Sequence, residues 1–169
     1  MTASQQDSIG PYYTPFNDGD TDVDRTCAEL RIYPGDMHPS QVTGLLGISP
    51  THVVAVGEPG ATNSLGRSPV GKVNGWFLSS EEYVKSKDVR RHLNWLIGKL
   101  RQSPDAIRTL QGKLGVQMYV FCAFWTKYGD GSATLWPEQM RALADLNLEC
   151  TFAFANYSKN EGPPRREFS

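Results

Sequence analysis

The 169-residue sequence lacks an excess of charge of either sign. It has 17 lysine and arginine residues against 18 aspartate and glutamate residues, for a net charge of −1. A protein that binds nucleic acid through phosphate contacts normally carries a basic excess, because its cations displace counterions from the backbone. We therefore expect no nucleic-acid partner.

The sequence also lacks long apolar runs and paired cysteines. No apolar stretch approaches the roughly 18 residues of a membrane span, and residues 1–7 have neither the basic nor the apolar part of a secretion signal. Three cysteines, an odd number without close spacing, do not form a disulfide framework. These features predict no membrane association and a location in a reducing cytoplasm.

Motifs for common chemistry are missing as well. No Gly-x-x-x-x-Gly-Lys-Ser/Thr phosphate loop occurs, and no two histidine or cysteine residues have the close spacing of zinc ligands. Cys122 and Cys150 fall in apolar strand patterns, where thiols behave as small hydrophobic groups, while Cys27 is expected to be partly exposed. The sequence therefore predicts no catalytic residue, no cofactor and no metal site.

The most informative stretch is residues 75–100, which predicts a strand, a turn and the longest amphipathic helix. Asp88 is a suitable N-cap. An apolar stripe recurs at helical spacing, and Arg90 and Arg91 fall on the opposite, charged face. The stripe consists of Val89, Leu93, Leu96, Ile97 and Leu100. His92 and Trp95 lie at its border.

The remaining elements follow from apolar patterning and from proline and glycine positions. Helices are predicted at 40–47 and 136–146, with Gly47 ending the first, and a break at Ser103-Pro104 bends or restarts the central helix. The strand at 116–125 is nearly continuously apolar, which predicts burial on both faces and a central place. The other strands are predicted at 28–33, 52–57, 72–78 and 149–157.

We expect one folded domain between two tails. Residues 1–26 are rich in polar residues, glycine and aspartate and predict a disordered or loosely attached acidic tail. Residues 27–157 form a single α+β domain, and residues 158–169 a flexible C-terminal tail.

The predicted fold class is α+β, with helices covering a mainly antiparallel sheet. The element order contains a ferredoxin-like βαββαβ succession followed by an extra αβ unit. Both Pro39 and Pro137 start a helix, and Gln41 and Gln139 then occupy the same position. This spacing indicates a possible internal pseudo-twofold repeat.

The chain also resembles the bacterial family grouped as domain of unknown function 4279. The match is carried by residues 28–33, by 39–47 with Pro50, by Gly75-Trp76 with the His92-Leu-x-Trp-Leu96 pattern, and by 135–154. The resemblance implies a small cytoplasmic α+β domain. It supplies no activity, cofactor or catalytic residue, and the extended N-terminal segment departs from the family's compact form.

Two functions remain open on sequence grounds. The first is a non-catalytic domain that binds another protein, as an immunity or antitoxin-like protein does, with the chain itself a monomer or homodimer. The second is a small hydrolase or transferase with His92 as acid or base. The predicted binding residues are His92, Trp95, Arg91, Tyr83 and Trp136.

Trp95 itself has two possible roles. On an ideal helix it lies far from the centre of the apolar stripe. The preferred interpretation is a boundary tryptophan that packs its ring against the sheet edge beside His92, and the alternative is a partner anchor at a binding edge. A core residue would instead make a large contribution to stability.

Overall fold

The computed structural model describes residues 13–62 and 65–156. Its nine elements are β1 (Val23–Tyr33), α1 (Pro39–Leu46), β2 (His52–Val54), β3 (Gly75–Ser79), α2 (Val89–Leu100), α3 (Pro104–Gln111), β4 (Gln117–Thr126), α4 (Pro137–Asp145) and β5 (Cys150–Asn156). The sequence-based break after α2 is confirmed, because α3 starts anew at Pro104. Leu114 lies beyond the end of α3 and is fully exposed.

The five strands form one sheet in the order β2-β3-β1-β4-β5. All neighbours pair antiparallel except β4 and β5, which are parallel. The fold class is therefore α+β with a mostly antiparallel sheet, as predicted. β4 lies inside the sheet between β1 and β5, but its first residues, from Gln117 to Tyr119, are not fully buried.

One face of the sheet joins the helices in the main core. Alternate β1 residues point to this face because successive strand side chains alternate. Ala28, Leu30 and Ile32 are each 0% exposed there. They pack with apolar residues from all four helices, among them Val42, Leu93, Ile107 and Leu143.

The opposite sheet face carries a smaller cluster and stacked cations. Cys27, Ala123 and Trp125 form the buried part of this cluster. The Arg25 guanidinium lies 3.9 Å from the Trp125 ring centroid, and that of Arg31 lies 3.7 Å from Phe121. Cys27, expected to be partly exposed, is thus buried, because β1 extends past it and β4 pairs alongside.

The paired strands β2 and β3 are shorter than predicted because the Asn74 side chain bonds to the backbone where they would continue. Its side-chain Oδ1 accepts from the Val56 amide at 2.9 Å, and its Nδ2 donates to the Gly35 carbonyl at 3.0 Å. β2 therefore stops at Val54 and β3 begins at Gly75. Nearby, a Cβ on Gly71 would stand 2.2 Å from the Ala55 carbonyl oxygen, so this close crossing requires glycine.

Helix ends follow the predicted capping residues. The Asp88 side chain accepts from the Arg90 amide at the start of α2. Gly47 ends α1 in the left-handed conformation, with φ of 66°. These two caps fix the limits of the helices that position the candidate site.

Candidate functional site

The five predicted binding residues occupy three different environments. The exposed Tyr83 stacks on the half-buried Trp95, Arg91 and Trp136 contact the N-terminal segment, and His92 lies in the interior. Arg91 and Trp95 are four residues apart on α2, so they lie on adjacent turns of one side. The structure therefore brings four of the five to the α2 side of the molecule and buries the fifth beneath it.

Tyr83 and Trp95 stack face to face. Their ring centroids are 4.9 Å apart with an interplanar angle of 16°, and Tyr83 is 61% exposed. Trp95 is half-buried and packs against the main core, so it holds the tyrosine ring in place. The Lys99 ammonium lies 5.7 Å from the Trp95 ring. This arrangement is a stacked aromatic surface with a cation at its edge.

Residues 13–18, which we call the N-terminal strap, pack across the beginnings of α2 and α4. The Phe16 ring lies 4.6 Å from that of Trp136. The Trp136 indole N–H donates to the Thr14 carbonyl at 3.1 Å, and the Tyr13 hydroxyl donates to Glu138 at 2.8 Å. Residues 13–26 thus differ from the loosely attached tail that was predicted, and β1 begins within them at Val23. Residues 1–12 and 157–169 lie outside the described residues.

Arg90 joins the strap to α2 from a buried position. Its side chain is 4% exposed, and all five guanidinium N–H groups have acceptors. Two acceptors are the Thr14 and Pro15 carbonyls at 2.9 and 2.8 Å, and two are the carboxylate oxygens of Asp88. The prediction that Arg90 lies on the exposed face is wrong, because α4 and the strap cover that side of α2.

The electrostatics of Asp88 reflect this pairing. Burial alone would raise its pKa, but hydrogen bonds from Arg90 and from the Asn17 amide outweigh burial and lower the pKa below its usual value. Asp88 is therefore an ionised, buried partner for Arg90. It also caps α2 and receives the strap backbone at 2.7 Å.

The acidic end of the strap is held by α2 and the loop before it. Asp18 accepts hydrogen bonds from the Ser86 hydroxyl and from the Lys87 amide, and its carboxylate lies 3.3 Å from the Arg91 Nε. The Ser86 hydrogen bond is the main reason that the pKa of Asp18 falls below its usual value. Arg91 also stacks on Phe16, with its guanidinium carbon 3.9 Å from the ring centroid.

His92 is enclosed by two serines and is 1% exposed. Its Nε2 lies 2.8 Å from the Ser86 carbonyl, which accepts the Nε2 proton, and its Nδ1 accepts from the Ser80 hydroxyl at 2.8 Å. Ser80 Oγ in turn accepts from the Ala28 amide. Burial lowers the pKa of His92, so the ring is neutral near pH 7. This serine–histidine pair connects β1, β3 and α2.

We expect stability to fall as the pH drops below about 6.5 because of His92. Its folded pKa is lowered, so below its ordinary value of about 6.5 the unfolded chain binds a proton that the folded chain excludes. The free energy of unfolding should fall by up to about 1.4 kcal/mol per pH unit in this window and stay level above it.

Urea titrations from pH 8 to 5 measure this slope in the intact protein and in a His92→Asn variant. The variant should be less stable at pH 7 yet lack the slope. His38 is the matched control, since its side chain is 51% exposed and His38→Asn should retain the slope. Equal slopes in wild type and His92→Asn would contradict the assignment.

Residues 24–157 match the family described as domain of unknown function 4279 (DUF4279). The chain belongs to this family. No curated protein and no solved structure matches the chain. The family assignment confirms the resemblance seen in the sequence, and it leaves the activity to be inferred from the structure.

The DUF4279 domain contributes all the side chains that receive the strap, whereas the strap lies outside the matched residues. Asp88, Arg90, Arg91, Trp136 and Glu138 belong to the domain; residues 13–18 precede it. Sequence reasoning missed Arg90 and the strap. The signal that could have found them is the pair of aromatic residues Tyr13 and Phe16, because disordered segments contain few aromatic residues.

The cysteines of the DUF4279 domain are thiols. Cys122 and Cys150 lie on neighbouring strands with their sulfur atoms 3.7 Å apart, and a hydrogen bond to Cys150 together with burial raises the pKa of the Cys122 thiol. Among the described residues, no group of three or more histidine, cysteine or acidic side chains has the geometry to hold a metal ion.

A surface depression of about 540 Å³ borders the start of β4 and includes Gln111, Tyr119 and Glu149, but none of the predicted binding residues lines it. Across the described part of the chain, no helix has both the length and the apolar character needed to cross a membrane.

Proposed function

We propose that this DUF4279 domain is a non-catalytic binding domain for another protein. The observation that carries the proposal is the exposed Tyr83 ring stacked on Trp95, whose own ring has Lys99 beside it and Arg91 one turn earlier on α2. Aromatic residues and arginine are the side chains that most often dominate binding energy at protein interfaces. An immunity or antitoxin-like role, in which the domain masks its partner, is the form of binding we favour.

The location and assembly of the protein form part of the same proposal. Three free thiols suit a reducing compartment, which supports action in the bacterial cytoplasm. The partner is a protein rather than nucleic acid, since the chain has a net charge of −1. The domain itself would act as a monomer or homodimer.

The alternative function is a small hydrolase or transferase centred on His92. The 2.8 Å contact between the Ser80 hydroxyl and His92 Nδ1 favours it, because a nucleophilic serine needs such a base. However, Ser80 is 0% exposed, and both His92 nitrogens already have partners within the fold. A substrate could reach this pair only after local opening, so binding is the better-supported function.

The binding proposal predicts that Tyr83→Ala weakens capture of the partner at least about tenfold, in line with the loss of an aromatic hot spot. Full-length protein immobilised by one terminus would be incubated with lysate of the native host, and the retained proteins quantified by mass spectrometry. Tyr128→Ala is the matched control, because Tyr128 is an equally exposed tyrosine, at 63%, in the loop that follows β4.

A specific partner should be enriched equally by wild type and Tyr128→Ala and depleted for Tyr83→Ala. If the three proteins retain the same set at the same levels, this surface does not bind a partner. Tyr83→Ala should leave the urea midpoint nearly unchanged, which separates lost binding from lost folding.

We also propose that the first four strands form a ferredoxin-like unit with an extra αβ unit after it, and that the halves β1-α1-β2 and β4-α4-β5 are related as an internal repeat. The strand sequence β2-β3-β1-β4 with antiparallel neighbours supports the first part. For the second, Gln41 and Gln139 have the same role: each side-chain oxygen accepts from the backbone amide three residues earlier, at His38 and at Trp136. The two halves differ in strand pairing. In the second half β5 lies directly beside β4, whereas in the first half β3 lies between β1 and β2.

A further inference from the structure

The N-terminal strap makes the kind of contacts that a bound peptide makes with a receptor. Two consecutive strap carbonyls, at Thr14 and Pro15, accept from the buried Arg90 guanidinium. The Thr14 carbonyl also accepts from the Trp136 indole. Recognition through backbone carbonyls depends on an extended conformation more than on side-chain identity. The receptor side therefore suits any extended segment.

Two further contacts define which side chains fit. The Phe16 ring lies between Trp136 and Arg91, at 4.6 Å from the indole ring and 3.9 Å from the guanidinium carbon. Two residues later, the Asp18 carboxylate meets the Ser86 hydroxyl, the Lys87 amide and Arg91. A segment that has an aromatic residue and, two positions later, a carboxylate can make both the Phe16 contacts and the Asp18 contacts.

The receptor belongs to the family domain, and the strap does not. The groups that contact the strap lie between Ser86 and Glu138, within the matched residues 24–157. The buried Arg90 side chain would lose three of its acceptors, two carbonyls and the Thr14 hydroxyl, if residues 14 and 15 were absent. A buried guanidinium arranged for peptide carbonyls is thus built into the domain itself.

We propose that the cleft formed by Asp88, Arg90, Arg91, Trp136 and Glu138 is a peptide-recognition site for an extended segment of a partner protein, with an aromatic residue followed two positions later by a carboxylate. In this chain the strap fills the cleft, and the partner segment must displace it. This inference rests on the proposed protein-binding function and names the partner's chemistry. A tethered strap has an effective concentration on the order of millimolar, so it excludes weak competitors.

The test uses a fluorescein-labelled peptide with the sequence of residues 13–20, Tyr-Thr-Pro-Phe-Asn-Asp-Gly-Asp. Its binding to full-length chains is followed by fluorescence anisotropy. One chain is wild type, and one carries Phe16→Ala and Asp18→Ala, which weaken its own strap. We expect the weakened-strap chain to bind the peptide at least about tenfold more tightly than wild type.

Further variants test whether the peptide binds in the cleft. A peptide with Phe16→Ala should bind the weakened-strap chain at least about tenfold less tightly, as should the unaltered peptide when Trp136→Ala is added to that chain. Adding Tyr128→Ala instead should leave binding unchanged, because Tyr128 is an exposed ring beside Lys127 and is not one of the cleft residues.

Circular dichroism and urea midpoints establish that each chain is folded. If the double variant is unfolded, the single variant Asp18→Ala replaces it, since Asp18 is an exposed residue. A folded weakened-strap chain that binds the peptide no more tightly than wild type overturns the inference. The Tyr83→Ala capture experiment is independent of this result. If the weakened-strap chain does not bind the peptide but capture still depends on Tyr83, the peptide-recognition site is rejected and the protein-binding function stands. If neither the peptide binding nor the Tyr83-dependent capture is observed, both proposals are rejected.

Discussion

Replacing Arg90 by alanine is expected to lower the free energy of unfolding by about 3–5 kcal/mol. The substitution leaves the Asp88 carboxylate, 6% exposed, without its main charged partner. It also removes the donors to the Thr14 and Pro15 carbonyls, so the strap loses its central attachment. Removing one member of a buried ion pair costs more than the net contribution of the pair, because the remaining charge stays desolvated.

Urea denaturation of full-length protein measures this loss, with Arg108→Ala as the matched control. Arg108 also pairs with an aspartate, Asp105, but its side chain is 64% exposed, so its removal should change stability by less than about 1 kcal/mol. A second variant, Arg90→Ala with Asp88→Ala, should recover part of the loss since no unpaired charge remains. An Arg90→Ala loss as small as that of Arg108→Ala would contradict the buried-pair account.

The position of Arg90 shows where helical periodicity stops being informative. The apolar stripe of α2 is as predicted, with Leu93, Leu96 and Leu100 all 0% exposed. Periodicity describes how a helix meets one neighbouring layer, here the sheet. Arg90 is buried by a second neighbour, since Gln139 on α4 donates to the Arg90 carbonyl and the strap covers the guanidinium. Such contacts depend on residues distant in sequence.

Local signals predicted the elements better than their limits. Capping by Asp88 and Gly47 follows from side-chain and backbone preferences within a few residues. The short β2 and β3 depend on Asn74, whose amide bonds to the chain at Val56 and Gly35, 18 and 39 residues away. A strand pattern that reads as continuous in sequence is therefore interrupted by contacts made in the fold.

The candidate site was predictable in part for the same reason. Trp95 appears in the sequence-based set because an aromatic residue at the border of an amphipathic helix is identifiable from spacing, and Tyr83 appears there as an aromatic residue shortly before that helix. Their stacking was not foreseeable, since Tyr83 lies in the loop before α2 and its direction depends on the turn after β3. His92 was assigned to the surface set, yet the serines on either side of it in the fold bury the ring.

Trp76 should be the tryptophan that contributes most to folding, and Trp76→Ala is expected to cost about 3–5 kcal/mol. Its ring is 0% exposed in the main core, on the strand that leads into Ser80 and Tyr83. The indole N–H donates to the Thr43 hydroxyl on α1 at 3.0 Å, so one side chain ties β3 to that helix. Truncation would remove the ring contacts and leave a cavity between α1 and the sheet.

Two further variants separate the ring and hydrogen-bond contributions of Trp76 and compare its stability loss with that of Trp95. Trp76→Phe keeps most of the ring and loses the hydrogen bond, so it should cost less than Trp76→Ala. Trp95→Ala should cost about 1–3 kcal/mol, because Trp95 is half-buried and shares its exposed side with Tyr83. Urea midpoints of the three full-length variants rank them by their loss of stability. A Trp95→Ala loss equal to that of Trp76→Ala would make Trp95 a core residue and would contradict its assignment as a half-buried member of the stacked pair.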